Sequence, residues 1–198
     1  MKKVMDGARS VRRYGFSTVE LLIVISVGLV ITAAALPSVN TVVAHVRTRT
    51  SISTLSGLLQ SCRAADVQQS VGKTAHFVEQ GGGLVAYVKN VGDTGSLAGT
   101  DLQVKMEAPI SKLTAPTGAG APTAISAGTL GFTPQTSNVS FNPRGLPCAY
   151  SGGTCTSQGF VYYFLDTRRK PGEGWSAISV SPAGRITKWF WNGSTWGD

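Results

Sequence analysis

The chain has 198 residues, enough for one ordinary domain and one additional element. Charged residues make up only 14%, and 24 glycines and 9 prolines favour a loop-rich extracytoplasmic β protein over a helical cytosolic enzyme. The formal net charge of +8 argues only weakly for a polyanionic partner, because the first fifteen residues carry five of the 18 basic side chains and one of the 10 acidic ones.

The longest apolar run spans residues 16–36 and contains a single charged residue, Glu20. Its length predicts a helix that crosses a bilayer, and the basic flank from Lys2 to Arg13 predicts that the following part of the chain faces outward. Residues 33–35 are alanines and also offer the cleavage site of an ordinary secretory signal peptide. Glu20 argues against that alternative, because a carboxylate in an apolar helix is costly unless it is paired or lies at the headgroup level.

Residues 12–22, RRYG followed by FSTVELL, resemble the cleavage signature of type IV prepilins. The resemblance implies that a prepilin peptidase cuts after Gly15 and that the new amino terminus on Phe16 is methylated. It also implies that Glu20 pairs with the terminal amine of a neighbouring subunit during filament assembly. A carboxylate that meets its cation only inside the filament would favour docking over remaining in lipid.

Helical periodicity continues beyond Pro37, where we expect a bend or local unwinding. The apolar residues repeat at i, i+3, i+4 and i+7, which predicts an amphipathic helix through residue 72 with its apolar stripe packed beneath a sheet. The stripe comprises Val39, Val42, Val43 and Val46, and then Leu55, Leu58, Leu59 and Cys62. Within it, Cys62 is interpreted as a small core residue.

From residue 73 onward, short β-prone runs alternate with glycine-rich breaks, which predicts a sheet. The predicted strands are 76–78, 84–88, 102–106, 139–141, 160–165, 177–180 and 184–189. Gly81–Gly83 is interpreted as a hairpin turn, because the lysine and the helix of a phosphate-binding loop are missing. Residues 108–131 contain few large apolar side chains and are predicted to form a long, flexible loop.

Cys148 and Cys155 bracket a short, turn-prone stretch, which favours a disulfide in an oxidising compartment. The alternative is a pair of metal ligands, but His45 and His76 are far away in the sequence. No nucleophile and base arrangement surrounds any serine or cysteine, so we expect a non-enzymatic protein without a cofactor.

Two turns flank the late apolar strand: Asn142–Gly145, of the form Asn-x-x-Gly, and 181–185, of the form Ser-x-x-Gly-Arg. This order resembles the GspH/FimT branch of the minor pilins and pseudopilins. The resemblance implies a structural subunit of a type II secretion pseudopilus or a type IV pilus. It also implies three kinds of partner, namely other pilins, a prepilin peptidase and an inner-membrane assembly platform.

Some FimT-like minor pilins bind DNA through a Gly-Arg-x-Arg turn. Here the turn begins Gly184-Arg185, but the second arginine is absent, and Lys188 is displaced by one residue to the opposite face of a strand. Arg168, Arg169 and Lys170 form a second basic cluster that could contact phosphates. Solvated turns beside a tryptophan-rich sheet edge explain the same residues without a ligand.

The sequence therefore predicts an α+β, pilin-like protein in which a long N-terminal helix packs on a C-terminal antiparallel sheet. The predicted regions are a leader peptide (1–15), a transmembrane and assembly helix (16–36), the distal half of the helix (37–72) and a β-rich head (73–198). The predicted location is the bacterial inner membrane, crossed once, with membrane lipid around the helix and the head in the periplasm before assembly into a filament.

Overall fold

The computed structural model describes residues 15–93, 95–107 and 109–198. Apart from Gly15, the predicted leader peptide lies outside these residues. The chain divides into two compact units, one ending at Asn40 and the other comprising Thr41–Asp198, which we call the head. Among the helices of the described residues, none has both the length and the hydropathy required to cross a membrane.

Helix α1 runs from Thr18 to Gln69 and includes Pro37. Ser17 precedes it, and its hydroxyl accepts a hydrogen bond from the backbone N–H of Val19 at 3.3 Å, so Ser17 acts as the N-cap. The helix ends before Ser70, whose positive φ of 53° places it in the left-handed region that commonly terminates helices.

The head contains two six-stranded sheets. The first has the order β3-β2-β1-β6-β7-β8 and is antiparallel throughout. Its strands are β1 (Lys73–Gln80), β2 (Gly83–Asn90), β3 (Gln103–Lys105), β6 (Ser140–Phe141), β7 (Pro147–Ser151) and β8 (Thr154–Ser157).

The second sheet has the order β12-β11-β10-β9-β4, and the short β5 pairs in parallel with β9. Its strands are β4 (Ile110–Leu113), β5 (Pro134–Gln135), β9 (Gly159–Asp166), β10 (Trp175–Val180), β11 (Ile186–Trp191) and β12 (Trp196–Gly197). A short helix, α2 (Ala127–Leu130), precedes β5. The predicted α+β class, a helix followed by antiparallel sheet, is confirmed.

The main core lies between α1 and the two sheets. Ile52, Leu55, Leu59 and Cys62 of α1 are fully buried there, which confirms the core position predicted for Cys62. Strand β9 is buried on both faces because its side chains alternate between two cores. Phe160, Tyr162 and Phe164 face α1, whereas Val161 and Tyr163 face a second core on the other side of the sheet.

The stretch 108–131 differs from the long loop that the sequence predicts, since it contains β4 and α2. It covers the second core, where Ile125 is buried and donates its backbone N–H to the Tyr163 hydroxyl at 3.0 Å. The indole N–H of Trp196 donates to the carbonyl of Thr123 at 2.8 Å. Single, widely spaced apolar residues anchor the segment, so no local periodicity indicates its packing.

Candidate functional site

The N-terminal apolar segment comprises residues 16–33, most of which are apolar. Every described side chain in it is exposed. The large apolar ones are 53–77% exposed: Phe16, Val19, Leu21, Leu22, Ile23, Val24, Ile25, Val27, Leu29, Val30 and Ile31. Soluble monomers rarely expose a continuous apolar surface of this extent, so the segment is suited to contact another apolar surface.

The three residues predicted for processing and assembly lie at the start of this segment. Gly15 and Phe16 precede the helix, and a Cβ built on Gly15 would meet no atom within 4 Å. Glu20 lies in the first turn of α1, where the positive end of the helix dipole favours a carboxylate by about 0.3–1 kcal/mol. In the described part of the chain, Glu20 has no cation within ion-pair distance.

The first part of the predicted apolar stripe is exposed, so the expectation that it packs beneath a sheet is wrong. Val39, Val42, Val43 and Val46, the valine stripe, are 39–62% exposed. The buried face of α1 in the head instead begins at Ala44 and Thr48. At about 100° per residue, Ala44 and Thr48 lie on roughly the opposite side of the helix from the four valines. The valine stripe is therefore a second exposed apolar surface of α1.

Arg185 and Lys188, predicted as phosphate contacts, line one shallow cavity of about 390 Å³ together with Arg49. We call this the basic cavity, and Ile186, Thr187, Phe190 and Asp198 complete its lining. The Arg49 guanidinium lies 5.0 Å from the centre of the Phe190 ring, and Lys188 Nζ lies 3.5 Å from Ser53 Oγ. Sequence reasoning missed Arg49 as a site residue, since it is 136 positions from Arg185 and belongs to α1.

As predicted, the displacement by one residue places Lys188 on the other face of strand β11. Lys188 lies on the same face of β11 as Ile186 and Phe190, which pack against the main core. Trp189 belongs to the second core, on the opposite face of the sheet. Lys188 therefore faces α1, which is why its amine reaches the helix.

Arg168, predicted as a DNA contact, is bound to the buried carboxylate of Asp166. Its Nε and Nη2 donate to Asp166 Oδ1 and Oδ2 at 2.9 and 2.7 Å, and the Thr48 hydroxyl donates to Oδ2 at 2.5 Å. Burial alone would raise the pKa of Asp166, but the hydrogen bonds from Arg168 and Thr48 outweigh it and lower that pKa. Thr48 thus joins the end of β9 to α1, and Arg168 neutralises the carboxylate between them rather than lying free for a ligand.

Arg169 and Lys170, the rest of that cluster, lie apart from the basic cavity lining. Arg169 Nη2 is 4.0 Å from Glu173 Oε2, while Lys170 is exposed. Burial lowers the pKa of His45, and the nearby positive charges of Arg49 and Arg169 lower it further. This end of the head is therefore basic, with part of its charge already paired.

The two turns that carry the GspH/FimT resemblance meet at one arginine of α1, which the sequence does not indicate. Arg63 Nη1 donates to the carbonyl of Gly184 at 3.0 Å. A Cβ on Gly184 would lie 3.0 Å from Arg63 Cζ, and one on Gly145 would lie 3.0 Å from Arg63 Nε. Both glycines have positive φ, 83° and 73°, so the close approach and the backbone each favour glycine. Arg63 therefore fixes the turn that presents Arg185.

The predicted disulfide between Cys148 and Cys155 is present, with their Cα atoms 5.4 Å apart. It joins β7 to β8, whose hairpin also pairs Cys148 with Ser157 and Tyr150 with Cys155. Cys62 is a free, buried thiol, and burial raises its pKa to about 12. A thiol with so high a pKa is a poor nucleophile at neutral pH.

The two histidines do not meet. Asn138 Nδ2 lies 3.2 Å from His76 Nδ1, and the His76 ring stacks on Tyr87 with the centroids 5.3 Å apart. Among the described residues, no group of three or more His, Cys, Asp or Glu side chains is arranged to hold a metal ion.

No protein-family model and no curated protein matches the chain. Two crystal structures of the type IV minor pilin FimU from Pseudomonas aeruginosa (strain PAO1) are similar to it. One has a TM-score of 0.44 and 16% identity, covering 76% of this chain and 92% of the other. The second has a TM-score of 0.45 and 17% identity, covering 76% and 97%. With TM-scores below 0.5, this likeness assigns neither a family nor a function to the chain.

Proposed function

We propose that this chain is a minor pilin or pseudopilin, a non-enzymatic structural subunit of a type IV pilus or a type II secretion pseudopilus. The observation that carries the proposal is the N-terminal apolar segment, which is helical and exposed along its described length. An apolar helix of this kind becomes stable in water only when another apolar surface covers it.

Neighbouring copies of similar helices supply that surface in the proposed filament. The prepilin-like signature at residues 12–22 supports this choice of partner over an unrelated protein. The exposed valine stripe gives a second apolar contact for a neighbouring helix. Before assembly, inner-membrane lipid covers the same segment, and the head lies in the periplasm.

The first residues of the segment are the proposed sites of leader cleavage and of the contact that aligns neighbouring subunits. The peptide bond between Gly15 and Phe16 lies outside the helix and is accessible, as a peptidase substrate requires. A prepilin peptidase cleaves there, and Phe16 becomes the methylated amino terminus. Glu20 then pairs with the terminal amine of a neighbouring pilin on the assembly platform, which relieves its cost in apolar surroundings.

The test is recovery of Glu20→Ala and Gly15→Val variants from sheared filaments of the producing bacterium. We expect Glu20→Ala to be cleaved normally but to be depleted from the filament fraction, since only the assembly contact is removed. Gly15→Val should remain as the longer precursor on a gel. Glu79→Ala, which removes an exposed carboxylate from the head, is the matched control and should behave as wild type. Undiminished recovery of Glu20→Ala would contradict the proposed assembly role.

A second candidate function is DNA binding during DNA uptake, which the basic cavity favours. Arg49, Arg185 and Lys188 line that cavity together with the acidic residue Asp198, and the three cations are suited to phosphates. Arg168 contributes little, because its guanidinium is already bound to Asp166.

A gel shift with the protein across a salt series tests this candidate. If three cations contact phosphates, log K should fall with log salt at a slope of about −2 to −3. Arg185→Ala combined with Lys188→Ala should abolish most of the shift, whereas Arg144→Ala, an exposed arginine in another turn, should leave it unchanged. Absence of any shift at low salt would exclude this candidate.

A further inference from the structure

Two aspartates of the head are completely or almost completely buried, but they differ in the hydrogen bonds that their carboxylates accept. Asp166 is 1% exposed, and both of its oxygens accept hydrogen bonds. Asp66 is 0% exposed, and neither of its carboxylate oxygens has a hydrogen-bond partner among the described residues. An ionised carboxylate buried in this way is strongly disfavoured, whereas its protonated form carries no net charge.

Asp66 lies in the last turns of α1, next to the connection that leads into β1. Its backbone carbonyl accepts from the N–H of Ser70 at 2.9 Å, and Ser70 carries the left-handed backbone that ends the helix. The carbonyl of Gly72, two residues later, accepts from the N–H of Val91 at 2.7 Å. The fully buried Asp66 thus lies at the junction between α1 and the first sheet.

Two titratable groups lie near Asp66, and of these the Lys73 charge changes its pKa. Cys62 lies one turn earlier on α1 and is a buried thiol. Lys73 lies on β1, but its amine donates to Asn90 Oδ1 at 2.7 Å. Its positive charge only partly offsets the cost of burying the carboxylate. Cys62 in turn lies near Tyr162 of β9, whose buried hydroxyl donates to the carbonyl of Ser137.

We propose that Asp66 is a buried proton-binding site that makes the junction between α1 and β1 sensitive to pH. With the proton bound, the end of the helix stays packed as the structure has it. When the proton leaves, the carboxylate gains stability only by reaching water or the Lys73 amine, and either change opens the junction around Ser70 and Gly72.

The direction of the pH dependence follows from the burial. Burial raises the pKa of Asp66 from 3.8 to about 6, the Lys73 charge opposing the change. The unfolded chain therefore releases its proton at a lower pH than the folded head. Stability is greatest below about pH 4 for this group and is lost as the pH rises through about 6.

The experiment uses the full chain in detergent micelles, with carbon NMR of the aspartate carboxyls and urea unfolding at pH 4.5 and pH 8. We expect one aspartate to titrate near pH 6, and its signal should be missing from Asp66→Asn. At pH 8 the variant should raise the folded-to-unfolded ratio by about a hundredfold, since a shift of about two pKa units is removed. At pH 4.5 the increase should be only about fivefold, because the unfolded chain has only begun to lose this proton there.

Asp166→Asn is the matched control, because it removes a buried charge that is fully hydrogen-bonded. It should lower the unfolding midpoint at pH 8, the opposite sign. The proposal is overturned if every aspartate of the wild-type chain titrates below about pH 4.5. An equal shift of the Asp66→Asn midpoint at both pH values would also overturn it, since that would reflect packing alone. The titration is measured on wild-type protein, so it tests the proposal even if a variant fails to fold.

Discussion

Replacing Arg168 by methionine should destabilise the head by about 3 kcal/mol. Methionine keeps most of the apolar stem but removes the guanidinium that donates two hydrogen bonds to Asp166. The Asp166 side chain is 0% exposed, so its charge would remain buried with only the Thr48 hydroxyl and the backbone N–H at residue 168 as donors. Removing one partner of a buried pair costs about 3–5 kcal/mol, and the partial exposure of Arg168 favours the lower value.

The loss should depend on pH with a definite sign. The pKa of Asp166 is lowered in the folded head, so its contribution to stability is present above the unfolded pKa of about 4. It disappears as the pH falls through the lower folded value. The difference between wild type and Arg168→Met should therefore be full at pH 7 and should shrink below pH 4.

Urea unfolding at pH 7, followed by tryptophan fluorescence, measures the effect, because Trp175 is buried in the second core. Lys170→Met is the matched control, since Lys170 is an exposed neighbour of the same turn. A loss below 1 kcal/mol is typical of a surface ion pair and would refute this reasoning. Arg168 would then be a cation that is free to bind a ligand.

Reduction of the disulfide, or a Cys148→Ser and Cys155→Ser double variant, should lower the free energy of unfolding by about 2.5 kcal/mol, because the bridge closes a short loop in the unfolded chain; a loss under 1 kcal/mol in urea unfolding would contradict this. Gly184→Ala should cost about 2 kcal/mol, since its positive φ and its close approach to Arg63 both oppose a Cβ. Gly193→Ala is its control: φ is also positive, 98°, but the space around it is open, so a thermal melt should show about half that loss.

Local patterns in the sequence predicted the helix, most of the long strands and the short-range disulfide. The period of 3.6 in the helix and the β-prone runs of β2, β9 and β10 arise from residues that are close neighbours, so they are visible without the fold. The strands β7 and β8 were missed because neither carries a run of β-prone apolar residues: β7 reads PCAYS and β8 reads TCTS. The prepilin-like signature likewise lies within eleven consecutive residues.

The sequence by itself determined that residues 16–36 form an apolar segment with one charge and that a β-rich region follows. Only the tertiary structure decided which apolar stripe of α1 faces the core, because the helix carries apolar residues on opposite sides and the sheets cover one of them. It also decided that Arg168 is paired and Arg185 is not, within the described residues. The reason is physical: Thr48 and Asp166 are 118 positions apart, and contacts between such distant residues leave no local pattern.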